Sequence, residues 1–173
     1  MSRAGSNTRP QVAIIGGGIT GLALAAGLHA RSVPFIVYER ASAFRDIGAG
    51  IGISPNAERA LFALTPDALA AFKRVAMPNA EDYFQWVDGY QSDEVIYRLY
   101  LGKGMFQGCR RADLVEELGK LVPPEFVRFG KQCNGIAEEE DGSTIINFSD
   151  GSTARADIGM VLRHYLRIKQ PPN

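Results

Sequence analysis

Apolar residues in this chain recur at two spacings. Short β-branched runs at 12–15 and 35–38 flank an Ala/Leu-rich stretch at 22–30, which is too long for a strand and suits a buried helix. Between the first run and that stretch lies Gly16-Gly17-Gly18-Ile19-Thr20-Gly21, and the second run ends on Glu39. The pattern predicts strand, glycine turn, helix, strand and acid over residues 11–39. Ser32-Val33-Pro34 forms the predicted turn, with Ser32 where a glycine often ends such a helix in a left-handed conformation. Ser54 and Pro55 read as N-cap and first residue of a helix through Leu64, followed by a second helical piece at 66–74. Alternation at 83–88 and a Tyr- and β-branched-rich run at 95–101, turning at Gly89-Tyr90, predict an antiparallel pair. Arg110 and Arg111 open an amphipathic helix with Leu114, Leu118, Leu121 and Val122 on one side, stopped by Pro123-Pro124. A short strand is predicted at 126–129. A meander follows at 134–140, 144–148 and 153–157, with turns at Asp141-Gly142 and Asp150-Gly151.

Composition narrows the class. The 173 residues suit one ordinary domain with a real core. Nineteen basic residues balance nineteen acidic ones, so no overall field draws in nucleic acid or an anionic membrane. Cys109 and Cys133 form no Cys-x-x-Cys, which excludes a disulfide framework and a zinc knuckle and fits a reducing, cytoplasmic compartment. Arg110 and Arg111 beside Cys109 would lower its thiol pKa, against the plainer reading of an inert, partly buried thiol. His29 and His164 are too isolated for a metal site. Residues 1–10 read as a disordered polar tail. The run from Val12 to Leu28 is not read as a signal peptide or membrane span. Three glycines and Thr20 interrupt it, and it falls short of the roughly 20 residues a span needs.

The glycine turn carries the candidate chemistry. Gly16 permits the tight turn, Gly18 lets the backbone approach a pyrophosphate, and Gly21 lets the helix pack close to the strand. The helix N-terminus faces the anion, and Glu39 can accept hydrogen bonds from ribose hydroxyls. Farther on, Gly48, Gly50 and Gly52 alternate with Ala49 and Ile51, so that backbone can approach a flat group while branched residues pack behind. A plain connection is the competing reading. The arginines at a helix start oppose the helix dipole. They answer either to a phosphate or ribose or to a solvated pairing with Glu116 or Glu117.

In this order the motifs are those of a known family. They are Gly16-x-Gly18-x-x-Gly21 with Glu39-Arg40, Gly48-Ala49-Gly50-Ile51 with Pro55-Asn56-Ala57, Arg110-Arg111-Ala112-Asp113-Leu114, and the meander reaching Asp157. Over roughly residues 12–157 the sequence resembles the FAD-dependent aromatic hydroxylases, the flavoprotein monooxygenases that include salicylate hydroxylase-like enzymes. The resemblance implies an α/β fold: a Rossmann-like FAD-binding domain, β-α-β with a crossover β-meander, plus an antiparallel strand pair from a partial substrate domain. It implies FAD as cofactor, with Gly16, Gly18 and Gly21 at the pyrophosphate, Glu39 at the adenosine ribose and Arg40 near the adenine end. Gly48, Ala49, Gly50 and Gly52 would lie beside the ribityl chain and flavin, and Arg111 would contact FAD. NAD(P)H and O2 would be co-substrates in hydroxylation of an aromatic or polyketide-like molecule.

After Asp157 the sequence departs from the family, which continues through an apolar strand into a Gly-Ala-Asp-Gly motif absent here. The expected organisation is a tail at 1–10, an incomplete FAD-binding domain at 11–168 with inserted substrate-domain strands at 80–107, and a tail at 169–173. The chain is therefore expected to be C-terminally truncated and inactive alone, with no catalytic residue and no metal ligand, and to self-associate through surface left bare. A non-catalytic Rossmann-type interaction protein and a simple NAD(P)-dependent oxidoreductase are the alternatives.

Overall fold

The computed structural model describes residues 11–44 and 49–162. The tails expected at 1–10 and 169–173, the end of the expected domain at 163–168, Gly48 and His164 lie outside the described residues. The chain divides into two compact units, residues 1–45 with 115–173 and residues 46–114.

In the first unit, β1 (Val12–Ile15), α1 (Ile19–Ala30) and β2 (Phe35–Tyr38) form the expected β-α-β motif. All four residues of β1 are buried because the strand is covered on both faces, as a central parallel strand must be. The remaining strands of that sheet are β8 (Val127–Arg128) and β12 (Ile158–Val161), in the order β12-β1-β2-β8, all parallel. Register pairs Val12 with both Phe35 and Ile158, and Ile15 with both Tyr38 and Val161. Residues 158–161, where sequence comparison expected the family pattern to break, thus complete the sheet. The strand predicted at 126–129 is shorter, because a 3-10 turn at Pro124–Phe126 takes up its start.

An antiparallel meander, β9 (Cys133–Glu138), β10 (Thr144–Phe148) and β11 (Thr153–Ala156), packs on one face of the parallel sheet. Ala13 and Ile15 of β1 meet Ile146, Phe148 and Ala156 there, with Tyr38 and Val161 at the margin. Val12 and Ile14 point to the opposite face, where α1 packs. The Asp-Gly turns form as predicted, with Gly142 and Gly151 at positive φ.

The first helix ends as the sequence suggested, without the glycine. Ser32 adopts φ +52, its N–H donates to the His29 carbonyl, and Val33 N–H reaches the Leu28 carbonyl at 3.0 Å. This is the Schellman pattern, with a serine in the left-handed position.

The second unit holds β3 (Gly50–Ile53), α2 (Pro55–Leu64), α3 (Pro66–Val75), β4 (Met77–Pro78), β5 (Tyr83–Val87), β6 (Val95–Tyr100) and β7 (Gln107–Arg110). The sheet β3-β7-β4 is antiparallel, and β7 was not predicted, its polar sequence QGCR giving no strand signal. Arg110 is consequently the last strand residue and not a helix opener; α4 (Arg111–Gly119) begins one residue later. Leu114 and Leu118 are buried as the amphipathic pattern required, but α4 ends at Gly119, short of Pro123, so half-buried Leu121 and buried Val122 follow the helix and are not part of it. Ser54 has the extended backbone of an N-cap, but its hydroxyl bonds the Asn56 side chain and not the helix amides. β5 and β6 form the expected two-stranded ribbon.

Candidate functional site

The glycine turn sits in the first unit, between β1 and α1. Gly16 has φ +115, a conformation that an L side chain rarely adopts, so the chain can double back directly from the strand. Gly16 N–H donates to the Tyr38 carbonyl at 2.9 Å, which ties the turn to β2. Gly18 is the N-cap of α1, with no side chain capping the helix and no acidic residue in its first turn. No carboxylate of the helix's own first turn offsets the positive end of the α1 dipole. Gly21 is required by packing: a Cβ there would come 1.9 Å from the Gly16 carbonyl oxygen and 3.4 Å from Ile14 Cγ2. These features give a concave run of backbone at a helix N-terminus, the arrangement that receives phosphate groups.

Glu39 closes the turn from the side. Its Oε2 accepts from Gly17 N–H at 2.7 Å and its Oε1 from Ala41 N–H at 2.8 Å. Each carboxylate oxygen keeps a further lone pair, so contacts to ribose hydroxyls remain available. Arg40, next in line, is exposed. Sequence reasoning overlooked Gly17 and Phe44. A Cβ on Gly17 would meet Phe44 Cε1 at 2.7 Å, and one on Gly119 would meet Phe44 Cδ2 at 3.1 Å. Phe44 also makes an edge contact with Phe129, ring centroids 4.8 Å apart. A third consecutive glycine was the available signal, since the Gly-x-Gly-x-x-Gly spacing leaves the second position free.

The remaining candidates lie together in the second unit. Gly50 and Gly52 share one face of β3 and Ile51 and Ile53 the other, with Ile53 buried, as the alternation predicted. Nothing lies within 4 Å of a Cβ built on Gly50, so its face is open. Gly52 differs, because the Phe106 ring covers it and a Cβ would come 2.1 Å from Phe106 Cζ. A side chain there would have to displace the Phe106 ring. Ala49 accepts from Arg111 N–H at 2.9 Å, so the start of α4 is anchored to the strand entry. Arg110 pairs with Asp113 at 3.8 Å, both partly exposed, and Glu116 and Glu117 hold Lys120. Exposed pairs of this kind contribute little.

The thiol pKa values move as the plainer reading of partly buried groups expects. Burial pushes the Cys109 thiol up, and the Asp113 carboxylate adds to it, so the neighbouring arginines do not produce a reactive thiolate. Burial also raises Cys133. Burial raises the Tyr38 hydroxyl as well, against smaller opposing effects of Arg128 and Lys131. Among the described residues there is no cluster of His, Cys, Asp or Glu fit to hold a metal, and no helix long and apolar enough to cross a membrane.

No family model matches the chain. It is 52% identical over 153 residues to an FAD-dependent monooxygenase of Monascus ruber, covering 84% of this chain and 35% of that protein. A salicylate hydroxylase of Sarocladium schorii is 35% identical over 160 residues, covering 85% of this chain and 33% of that protein. Among solved structures, a salicylate hydroxylase in complex with its substrate superposes with a TM-score of 0.69 at 28% identity, covering 90% of this chain and 36% of that one. The matched residues are thus homologous to part of these monooxygenases, and the chain spans about a third of their length.

Proposed function

We propose, for a chain whose relatives are FAD-dependent monooxygenases, that these residues bind the ADP portion of FAD within an oxidoreductase that uses NAD(P)H and O2 to hydroxylate an aromatic or polyketide-like molecule. The observation that carries this reading is the uncapped N-terminus of α1 behind a left-handed Gly16, with Glu39 at the end of β2. Gly16, Gly18 and Gly21 would receive the pyrophosphate, Glu39 the ribose, and Arg40 would lie toward the adenine. Ala49, Gly50 and Arg111 would serve the ribityl and flavin end, with Gly52 supporting them through Phe106. FAD supplies the redox chemistry when bound; the protein's part is to hold and orient it and keep water away.

The 173 residues are proposed to bind cofactor without sustaining hydroxylation, as they span 35% of the Monascus ruber relative and present no residue assigned as acid or base. The ribbon within residues 80–107 is proposed to belong to a substrate-binding part, and a cytoplasmic location is proposed from the two free thiols. Reconstitution with FAD followed by visible absorption tests the central claim. A retained flavin band is expected, together with no more than background NAD(P)H oxidation. An absent band after added FAD, with NADH binding instead, would favour a simple nicotinamide-dependent protein; binding of neither would favour a non-catalytic scaffold.

A further inference from the structure

Gly17 has no part in the Gly-x-Gly-x-x-Gly pattern, yet a side chain holds its amide. Gly17 N–H donates to Glu39 Oε2 at 2.7 Å, while Ala41 N–H occupies Oε1 at 2.8 Å. The carboxylate is itself anchored from behind. Glu39 N–H donates to the Arg128 carbonyl and the Glu39 carbonyl accepts from Lys131 N–H, both at 2.9 Å, so its backbone is held by the end of β8 and the loop that follows it. A Cβ built on Gly17 would meet Phe44 Cε1 at 2.7 Å and Glu39 Cβ at 3.2 Å.

We propose that Glu39 is a positioning residue that holds the Gly16–Gly18 turn in its anion-receiving shape before ligand arrives, with Phe44 packed where a side chain on Gly17 would stand. A glycine-rich turn has more conformations to lose than any other segment, so its receptive shape must be imposed from outside. A charge-assisted hydrogen bond from a fixed carboxylate is a strong local means of doing so. One consequence is that the phosphate and ribose ends of a nucleotide become coupled through a single side chain. This consequence rests on the function proposed above; the latch itself does not.

The test is amide hydrogen exchange followed by NMR on the full ligand-free chain, wild type against Glu39→Ala and Glu39→Gln. In Glu39→Ala the Gly17 and Ala41 amides should exchange at least about tenfold faster while Ile14 and Val37 are unchanged, which separates a local latch from general destabilisation. Glu39→Gln keeps one acceptor oxygen and should restore protection at only one of the two amides. Titration with inorganic pyrophosphate, which has no ribose, should then show at least about a fivefold loss in Glu39→Ala, whereas a residue that serves ribose alone would leave pyrophosphate untouched and weaken only adenosine. Unchanged Gly17 exchange, or unchanged pyrophosphate affinity, overturns the proposal. Should Glu39→Ala not fold, an unprotected Gly17 amide in the wild-type chain overturns it equally. If the wild type binds neither FAD nor pyrophosphate while Gly17 protection still depends on Glu39, the proposed function fails and the latch stands.

Discussion

An alanine at position 21 would drive its Cβ to 1.9 Å from a backbone oxygen, whereas one at position 50 would enter open space. The two glycines look alike in the sequence but should behave differently. Gly21→Ala is expected to cost about 1–3 kcal/mol through forced separation of α1 from the turn, and to weaken nucleotide binding with it. Gly50→Ala should stay within about 0.5 kcal/mol of wild type in chemical denaturation. Ser32 offers a complementary test. Its φ of +52 is tolerable for a short polar residue and poor for a β-branched one, so Ser32→Val should lose about 1–2 kcal/mol. The partly buried thiols add a pH dependence. Their pKa values are raised on folding, so the folded state holds its protons more tightly than the unfolded chain. That stability is fully present below the ordinary thiol value of about 8.5 and is lost as pH rises past it. The denaturation midpoint should therefore fall between pH 7 and pH 9.5, and Cys133→Ala should flatten that decline. The Asp150 carboxyl runs the other way. Hydrogen bonds from Lys131 and Ser152 hold it well below the usual carboxylate range, so its contribution is present above about pH 4 and fades in acid.

The ribbon β5–β6 shows what an element lacks when pairing is all it has. Register places Phe84, Trp86, Tyr97 and Leu99 on one face and Tyr83, Gln85, Arg98 and Tyr100 on the other. The first face is aromatic and aliphatic, with Phe84 edge-on to Trp86 and Tyr97 tilted against it, and every residue of the two strands is exposed. Among the described residues neither strand bonds a third. Two strands alone are marginal in water, because their hydrogen bonds compete with solvent and little apolar area is removed. Amides of β5 and β6 should accordingly exchange at least about tenfold faster than those of β1, which is buried along its length.

At the scale of the whole molecule, exposed aromatic surface of this kind favours association. Trp86 is 45% and Ile96 71% exposed. Light scattering at rising concentration is expected to show species larger than a monomer, and Trp86→Ser combined with Ile96→Lys should shift the population back. A strictly monomeric wild type at high concentration would contradict this. Pyrophosphate binding should be indifferent to the double substitution, since the glycine turn and Glu39 belong to the other unit.

Local chemistry made much of this legible without coordinates. The β-α-β unit, the Asp-Gly hairpins and the ribbon follow from periodicity and turn residues, which act over a few positions and need no knowledge of the rest. The turn at Gly16 was legible for the same reason. Tertiary structure decided what spacing cannot express. It set the parallel pairing of Ile158–Val161 with β1, across nearly the whole chain, and the recruitment of the polar segment Gln107–Arg110 as a strand. It also decided which glycines have side chains packed against them. Gly17 answers to Phe44 and Glu39, Gly52 to Phe106 and Gly159 to Thr144, whose Cγ2 would lie 2.9 Å from an added Cβ. Each of those demands comes from a side chain distant in sequence, and close packing, not local propensity, imposes it.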